Sequence, residues 1–575
     1  MKQLSGADSA FLQFERGNNY MHIGSLAIYD PSTHPDGGVR FKDVLRYFAA
    51  RAAQFPQFRR RLATLPLSLD RPWWVESPTI DVEFHVRHIA LPRPGNWRQL
   101  CIQVARLHSR PLDRSKPLWE AYVIEGLDNV TGVPPGSFAL YTKLHHSIVD
   151  GEAANELMKA LHTLTPEPFD LDAVEAESAA TAYPADAEPS MRELYSHAFL
   201  HNARQVPALA RVVLETARKV VSLGGEALTR LRREGGSDAM SSVRSILSGD
   251  LGALLPRMPP KTRFCGDVSA HRVFEAVSIR LADFRDVKRQ VPRATINDQF
   301  LCVVGGALRS YLSQKHELPE TAMVASVPMT LRGASKTGQG NQVGITMISV
   351  HTEIEEPLER LRAVVDSAES AKRVADAVGK GTMRDLLDAM PASLAAGLAR
   401  SVKLPGLGLV VSNVRGPDVP LYLAGAQIVS YIPISIAIDG MGLNVTGFSY
   451  AGRLWICAVS CRTMLPDPAF FAECLRNSFA QLHEAALREA ASAVTGAERV
   501  ETGAGATARV PRARHARRAH TRRAARQPGP AKKAKVATRA RKVQTSVPAR
   551  QGKFARTAGT RTGNSKHLTR PNRSA

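Results

Sequence analysis

The chain predicts an α/β protein of two comparable halves, joined by a helical connection and followed by a disordered basic tail. Three observations lead there. Strand-like and helix-like apolar patterns alternate through residues 1–165 and resume through 265–492. Between them, residues 166–264 open rich in Ala, Glu, Asp and Pro and then turn amphipathic at helical spacing. Charge is also segregated. Residues 501–575 hold 21 Lys and Arg against one acidic residue, so the first 500 residues carry only +3 of the formal +23. At 575 residues, more than one compact domain is the expectation.

In the first half, MHIGSLAIYD (21–30) sets Ile23, Leu26 and Ile28 in a strand pattern that ends in turn residues. FKDVLRYFAARAAQF (41–55) has helical spacing at Val44, Phe48 and Ala52. FALYTKLHH (138–146) reads as a further strand. In the connection, residues 208–234 form an amphipathic helix with Val212, Leu214, Val220 and Leu223 on its apolar side. Its apolar face suits packing between the halves, or a bilayer surface with its basic residues at the headgroups. In the second half, Asn297-Asp298 fits the start of the helix QFLCVVGGALRSYL, and MGLNVTGFSYAGRLWICAVS (441–460) reads as a hairpin turning at residues 450–453. Residues 508–542 have no aromatics and few β-branched residues. Such a segment cannot bury enough surface to offset its ordering entropy, so 493–575 is expected to be a disordered basic tail.

Several function classes are disfavoured. The six cysteines are scattered and none forms a CxxC pair, which predicts reduced thiols in a cytoplasmic protein, not disulfides or a zinc site. The opening MKQLSGADSAFLQFERG has no apolar core of a secretory signal. No stretch reaches 18 apolar residues, so membrane contact is expected to be peripheral. GASKTGQGNQVG (333–344) fails the phosphate-loop pattern, and His85 and His88 lack metal-ligand company, so no metal is expected.

The chemistry concentrates in HHSIVDG (145–151). Strand alternation puts Phe138, Leu140, Thr142, Leu144 and His146 on one face, with Ala139, Tyr141, Lys143 and His145 on the other. The two imidazoles therefore point in opposite directions; one can face a cavity while the other packs or orients. Imidazole is the side chain best poised to accept a proton near neutral pH. Asp150 suits the N-cap of EAANELMKALHTL, and Gly151 eases the turn. With no GxSxG elbow and no cysteine in a nucleophile context, the histidine is expected to activate a substrate hydroxyl or thiol directly.

HHSIVDG matches HHxxxDG, the signature of CoA-dependent acyltransferases. The body of the chain, roughly residues 3–485, resembles the bacterial wax ester synthase/diacylglycerol acyltransferase family. LSGADSAFLQFE, MHIG, PLW (Pro117, Leu118, Trp119), the Asn297-Asp298 pair, GNQVG (340–344) and SNVRGP (412–417) carry the resemblance. It implies two chloramphenicol-acetyltransferase-like halves with a tunnel between them. His146 would be the general base, His145 its neighbour, and Asp150 the residue holding the loop and the imidazole. Gly151 would permit the turn, Asn297 and Asp298 would shape the site from the second half, and the Pro117–Trp119 motif would lie near the acyl channel. The substrates implied are acyl-CoA and a diacylglycerol or fatty alcohol, with no cofactor beyond acyl-CoA as co-substrate. Cys461 and Thr463 in VSCRTMLPD, and FCGD at 264–267, depart from the family pattern and bear on substrate preference.

The tail has the charge for an anionic lipid-droplet or membrane surface, where each basic residue adds about 1 kcal/mol. It also has the charge for nucleic acid, although Phe554 is its one aromatic, which leaves base stacking unsupported. Two other readings stay open at this stage. One is an inactive acyltransferase-like body that tethers lipid droplets or nucleic acid through the tail. The other is a condensation-type acyltransferase with a different acceptor.

Overall fold

The computed structural model describes residues 1–504 apart from 36–37, 78–79, 149–157, 160, 168–169, 171, 174–175, 177–186, 235–258, 331–342, 379–381 and 402–406. Asp150, Gly151, the glycine-rich 333–342 stretch and the tail from 505 onward lie outside the described residues.

Residues 1–505 form one compact unit built on two six-stranded sheets. The first sheet runs, edge to edge, Tyr422–Leu423, Ala426–Ile434, His22–Asp30, Phe138–His145, Trp119–Glu125 and Val86–Ala90. The second runs Val343–Ser349, Val324–Thr330, Leu409–Arg415, Leu443–Tyr450, Arg453–Cys461 and Arg272–Arg280. Both are mixed: Val86–Ala90 lies parallel to Trp119–Glu125, and Leu409–Arg415 lies parallel to Leu443–Tyr450. A three-stranded sheet pairs Lys2–Gln3 and Arg60–Ala63 with Trp73–Glu76. The expected α/β class is what the chain adopts. The hairpin at 441–460 is present, with Tyr450 opposite Arg453 across its turn.

Periodicity alone did not reveal that residues 422–434, deep in the second half of the sequence, add two strands to the first sheet. Ala426–Ile434 pairs antiparallel with His22–Asp30, with Ile434 opposite Gly24. The strand is buried at both ends, so an isolated half would expose its apolar residues.

The largest core lies against the second sheet. It surrounds the helix Ile296–Gln314, whose Phe300, Leu301, Val303, Val304 and Leu308 are fully buried. Two cores flank the first sheet, one around Phe48, Phe58, Trp119 and Tyr29, the other around Leu100, Val104, Tyr141 and Ile432. The connecting helix spans Met191–Glu234 and so begins before residue 208, docking Leu194 and Ala198 beside Leu65. The last helix, Pro468–Ala504, runs past the expected start of the tail at 493, because residues 485–499 are rich in the good helix formers Ala and Glu. Among the described residues, no helix is long and apolar enough to cross a membrane.

Candidate active site

The site is built around the end of the motif strand, Phe138–His145, where three sequence motifs meet. His22–Asp30 and Trp119–Glu125 pair on either side of it, and Leu144 stands opposite both Ile23 and Trp119. The backbone N–H of His145 donates to Leu118 O at 3.0 Å, and that of His146 donates to Met21 O at 2.8 Å. MHIG and PLW thus hold the two histidines by their backbones.

The strand ends at His145 and His146 begins the turn, so strand alternation does not reach His146; the two rings meet Glu15 and Phe11, four residues apart in the chain. His145 is fully buried, and its ring is fixed on both nitrogens. Ser147 N–H donates to Nδ1 at 3.1 Å, which makes that nitrogen an acceptor; Ser147 Oγ lies 2.7 Å away. The proton then belongs on Nε2, which faces Glu15 Oε2 at 3.2 Å. His145 therefore closes the tight turn at 145–148 through its own side chain. His146 is half-buried, and its ring stacks on Phe11 at 4.1 Å and 9°.

Glu15 also accepts from Arg114 at 2.7 Å. Burial pushes its carboxyl up, but the hydrogen bonds from His145 and Arg114 and the positive charge of Arg114 outweigh this and hold it below the ordinary range. Phe11 and Glu15 lie at the end of the helix Gly6–Phe14. Ser5 caps that helix, its Oγ accepting from Asp8 N at 3.0 Å. The helix packs on Thr382–Ala389 and Ala392–Ser401 from the second half. Gly6 makes the approach possible, and its N–H donates to Asp388 Oδ1 at 2.5 Å.

Behind His145, on its own face of the strand, lies a dry polar cluster. Lys143 is fully buried, with Nζ 2.8 Å from Glu120 and 3.1 Å from Arg110 O. Burial lowers its pKa and Glu120 opposes that. His108 Nδ1 meets Tyr141 Oη at 2.8 Å, and His22 Nε2 meets His108 O at 2.7 Å. Burial first, then neighbouring positive charge, pushes His108 down to about 3. His22 is driven well below its ordinary value by burial and by His108 beside it.

On the opposite face of the strand from His145, Leu140, Thr142 and Leu144 line a narrow apolar slot of about 80 Å³ together with Ile23, Phe48, Phe58, Trp119 and Met158. Trp119 is packed hard: its indole N–H donates to Phe58 O at 2.9 Å and its ring stacks on His85 at 4.4 Å. His85 Nδ1 is 2.7 Å from Trp119 O, so this histidine buttresses the tryptophan. A second, larger cavity of about 390 Å³ opens beside Met21. It is lined by Phe14, Arg16, Asn18, Asn19, Asp267 and Asp439 among others. Asp267 of the FCGD departure therefore sits at this mouth. Cys461 is buried with Sγ 3.2 Å from Thr463 Oγ1.

Asn297 and Asp298 occupy the first turn of the helix Ile296–Gln314. Asp298 forms a capping box with Thr295, accepting from its N–H at 2.8 Å and its hydroxyl at 2.7 Å. Its hydrogen bonds are those of a cap, as the bare sequence suggested. Three contributors were not singled out from the sequence: Phe11, Glu15 and Ser147. Ser147 lies inside the motif itself, and Glu15 ends the quoted LSGADSAFLQFE, but its contact with His145 spans 130 positions and no local pattern encodes it.

The family model of the wax ester synthase/diacylglycerol acyltransferase catalytic domain matches residues 4–300, and that of the C-terminal domain of the same family matches 339–483. A Mycobacterium tuberculosis H37Rv protein named as a diacylglycerol O-acyltransferase is 31% identical over 467 residues, 80% of this chain and 92% of its own. The tgs2 protein of the same strain, also named as a diacylglycerol O-acyltransferase, is 32% identical over 485 residues, 83% of this chain and 98% of its own. Among solved structures, the wax ester synthase/diacylglycerol acyltransferase from Marinobacter aquaeolei VT8 superimposes with a TM-score of 0.56 at 25% identity, covering 84% of this chain and all of that one.

Proposed function

The chain belongs to the wax ester synthase/diacylglycerol acyltransferase family, and on that premise we propose that it transfers a fatty acyl group from acyl-CoA to the hydroxyl of a diacylglycerol, and also to that of a long-chain alcohol. The observation that carries this reading is the half-buried His146 ring, stacked on Phe11 in the turn that follows the strand whose Leu140, Thr142 and Leu144 line the apolar slot. A proton acceptor two residues beyond the lining of a largely apolar slot suits attack by an alcohol on a thioester.

His146 removes the hydroxyl proton as the oxygen attacks the thioester carbonyl. The tetrahedral intermediate collapses, the C–S bond breaks, and the imidazolium returns the proton to the CoA thiolate. Such a base contributes on the order of 10²–10⁴-fold, so positioning supplies much of the remainder. His145 is the positioning residue: anchored by Glu15 and Ser147, it fixes the turn from which His146 projects. Asp150 and Gly151 complete the turn in this reading, and Pro117, Leu118 and Trp119 wall the acyl channel. Asn297 and Asp298 support the site through the helix they begin. Acyl-CoA is the co-substrate.

We assign residues 1–165 and the stretch from 265 to the end of the last helix at Ala504 as the two acyltransferase halves, 166–264 as their connection and the residues that follow as an appended basic segment. The enzyme works in the cytoplasm, peripheral at a membrane or lipid-droplet surface, where its water-insoluble acceptors reside and where the basic segment meets anionic headgroups. The test is acyl transfer by the purified full chain, with labelled palmitoyl-CoA offered in parallel to dioleoylglycerol and hexadecanol. Labelled triacylglycerol or wax ester, lost in His146→Ala, is the expected result. No neutral-lipid product from folded protein refutes the reading and favours a tether or a different acceptor.

A further inference from the structure

The apolar slot ends on a polar floor. Its walls are successive rungs of the first sheet at two-residue spacing. Ile23 lies opposite Leu144, Ser25 opposite Thr142, Ala27 opposite Leu140, and Tyr29 opposite Phe138. Beyond Leu144, the backbone N–H of His146 bonds to Met21 O one step further along the same pair of segments. A strand rises about 3.3 Å per residue, so the six residues from His146 back to the rung of Ala27 and Leu140 span roughly 20 Å. That is about the length of an extended palmitoyl chain.

The next rung is blocked. Tyr29 is fully buried, and its ring stacks on Phe138 at 5.1 Å and 9°. Its hydroxyl is 2.7 Å from His162 Nε2, and His162 Nδ1 is 2.5 Å from Met158 O. Burial pushes His162 down to about 4, so the imidazole is neutral near pH 7. It then donates from Nδ1 to the carbonyl and accepts the Tyr29 hydroxyl proton at Nε2. Displacing the phenol would leave polar groups unpaired in a dry place, so this end of the slot resists opening. The side walls differ. Met158 is unbranched and adaptable, and it yields to an entering chain where Tyr29 does not.

We propose that Tyr29, held by His162, is the stop that sets the maximum acyl length this enzyme accepts, at about palmitoyl to stearoyl. The proposal rests on the acyl-transfer reading above and deepens it.

The experiment compares kcat/KM for myristoyl-, palmitoyl-, stearoyl-, arachidoyl- and behenoyl-CoA, each with dioleoylglycerol, for the full-length wild type, Tyr29→Ala and Ala27→Phe. Wild-type activity is expected to fall steeply beyond stearoyl. Because a methylene that does not fit costs roughly 10-fold or more, Tyr29→Ala should raise the arachidoyl-to-palmitoyl ratio by about that factor. Ala27→Phe should raise the myristoyl-to-palmitoyl ratio similarly. If Tyr29→Ala does not fold, Ala27→Phe decides alone. Wild-type ratios in the folded variants, or behenoyl used as readily as palmitoyl by the wild type, overturn the stop while leaving acyl transfer intact. Absence of transfer from every acyl-CoA overturns the acyl-transfer reading, and the stop falls with it.

Discussion

Replacing Gly6 by alanine places a methyl where the second half of the chain already sits. A Cβ there lies 2.1 Å from Leu387 O, 2.3 Å from Leu387 C and 2.6 Å from Asp388 N. Ordinary contact begins at 3.4 Å, so the shortfall is about 1.3 Å. All three atoms are backbone, and no side chain can swing aside. The helix Gly6–Phe14 must therefore retreat as a body by about 1 Å. Overpacking of this kind costs about 1–3 kcal/mol, offset by up to about 1 kcal/mol from the better helix propensity of alanine. The fold should survive. The chemistry should not, because Phe11 on that helix contacts His146 and Glu15 at its end contacts His145. A displacement of about 1 Å at a catalytic group costs on the order of 10²-fold. The assay is the initial rate of label transfer from palmitoyl-CoA to dioleoylglycerol, read beside a thermal melt. A folded Gly6→Ala protein with wild-type kcat, or a rate loss no larger than the loss of folded protein, would refute the idea that this helix positions the histidines.

Three further outcomes are expected. His146→Ala should lose about 10²–10⁴-fold in kcat with its melting temperature near wild type. His145→Ala should lose less activity and more stability, about 1–3 kcal/mol, because Glu15 and Ser147 lose their buried partner; equal and complete rate loss in two normally folded variants contradicts that division. His108, neutral when folded with its pKa near 3, is protonated in the unfolded chain below about 6.5, so the unfolded state binds more protons and stability falls as pH drops through that window. The loss from His108 alone is about 2 kcal/mol at pH 5, and a melting temperature that is flat from pH 7 to 5, or equally steep in His108→Gln, speaks against it. Asp298→Ala should cost about 1 kcal/mol through its cap with little change in kcat, whereas a large fall in kcat at unchanged stability would give Asp298 a part in the chemistry.

The strand that carries the motif was legible from 138 to 145, because its alternation is local, but that it stops at His145 and leaves His146 in the turn was not. The α/β class, the hairpin at 441–460 and the capping role of Asp298 were legible for the same reason: each depends on neighbours within a few residues. The tertiary structure decided what those residues meet. Glu15 reaches His145 across 130 positions, Gly6 admits the backbone of Leu387, and Ala426–Ile434 crosses into the first sheet. Periodicity records which face of an element is apolar and not which distant segment covers it. Partner choice is settled by packing among many chain segments at once, and so it appears only when the chain has folded.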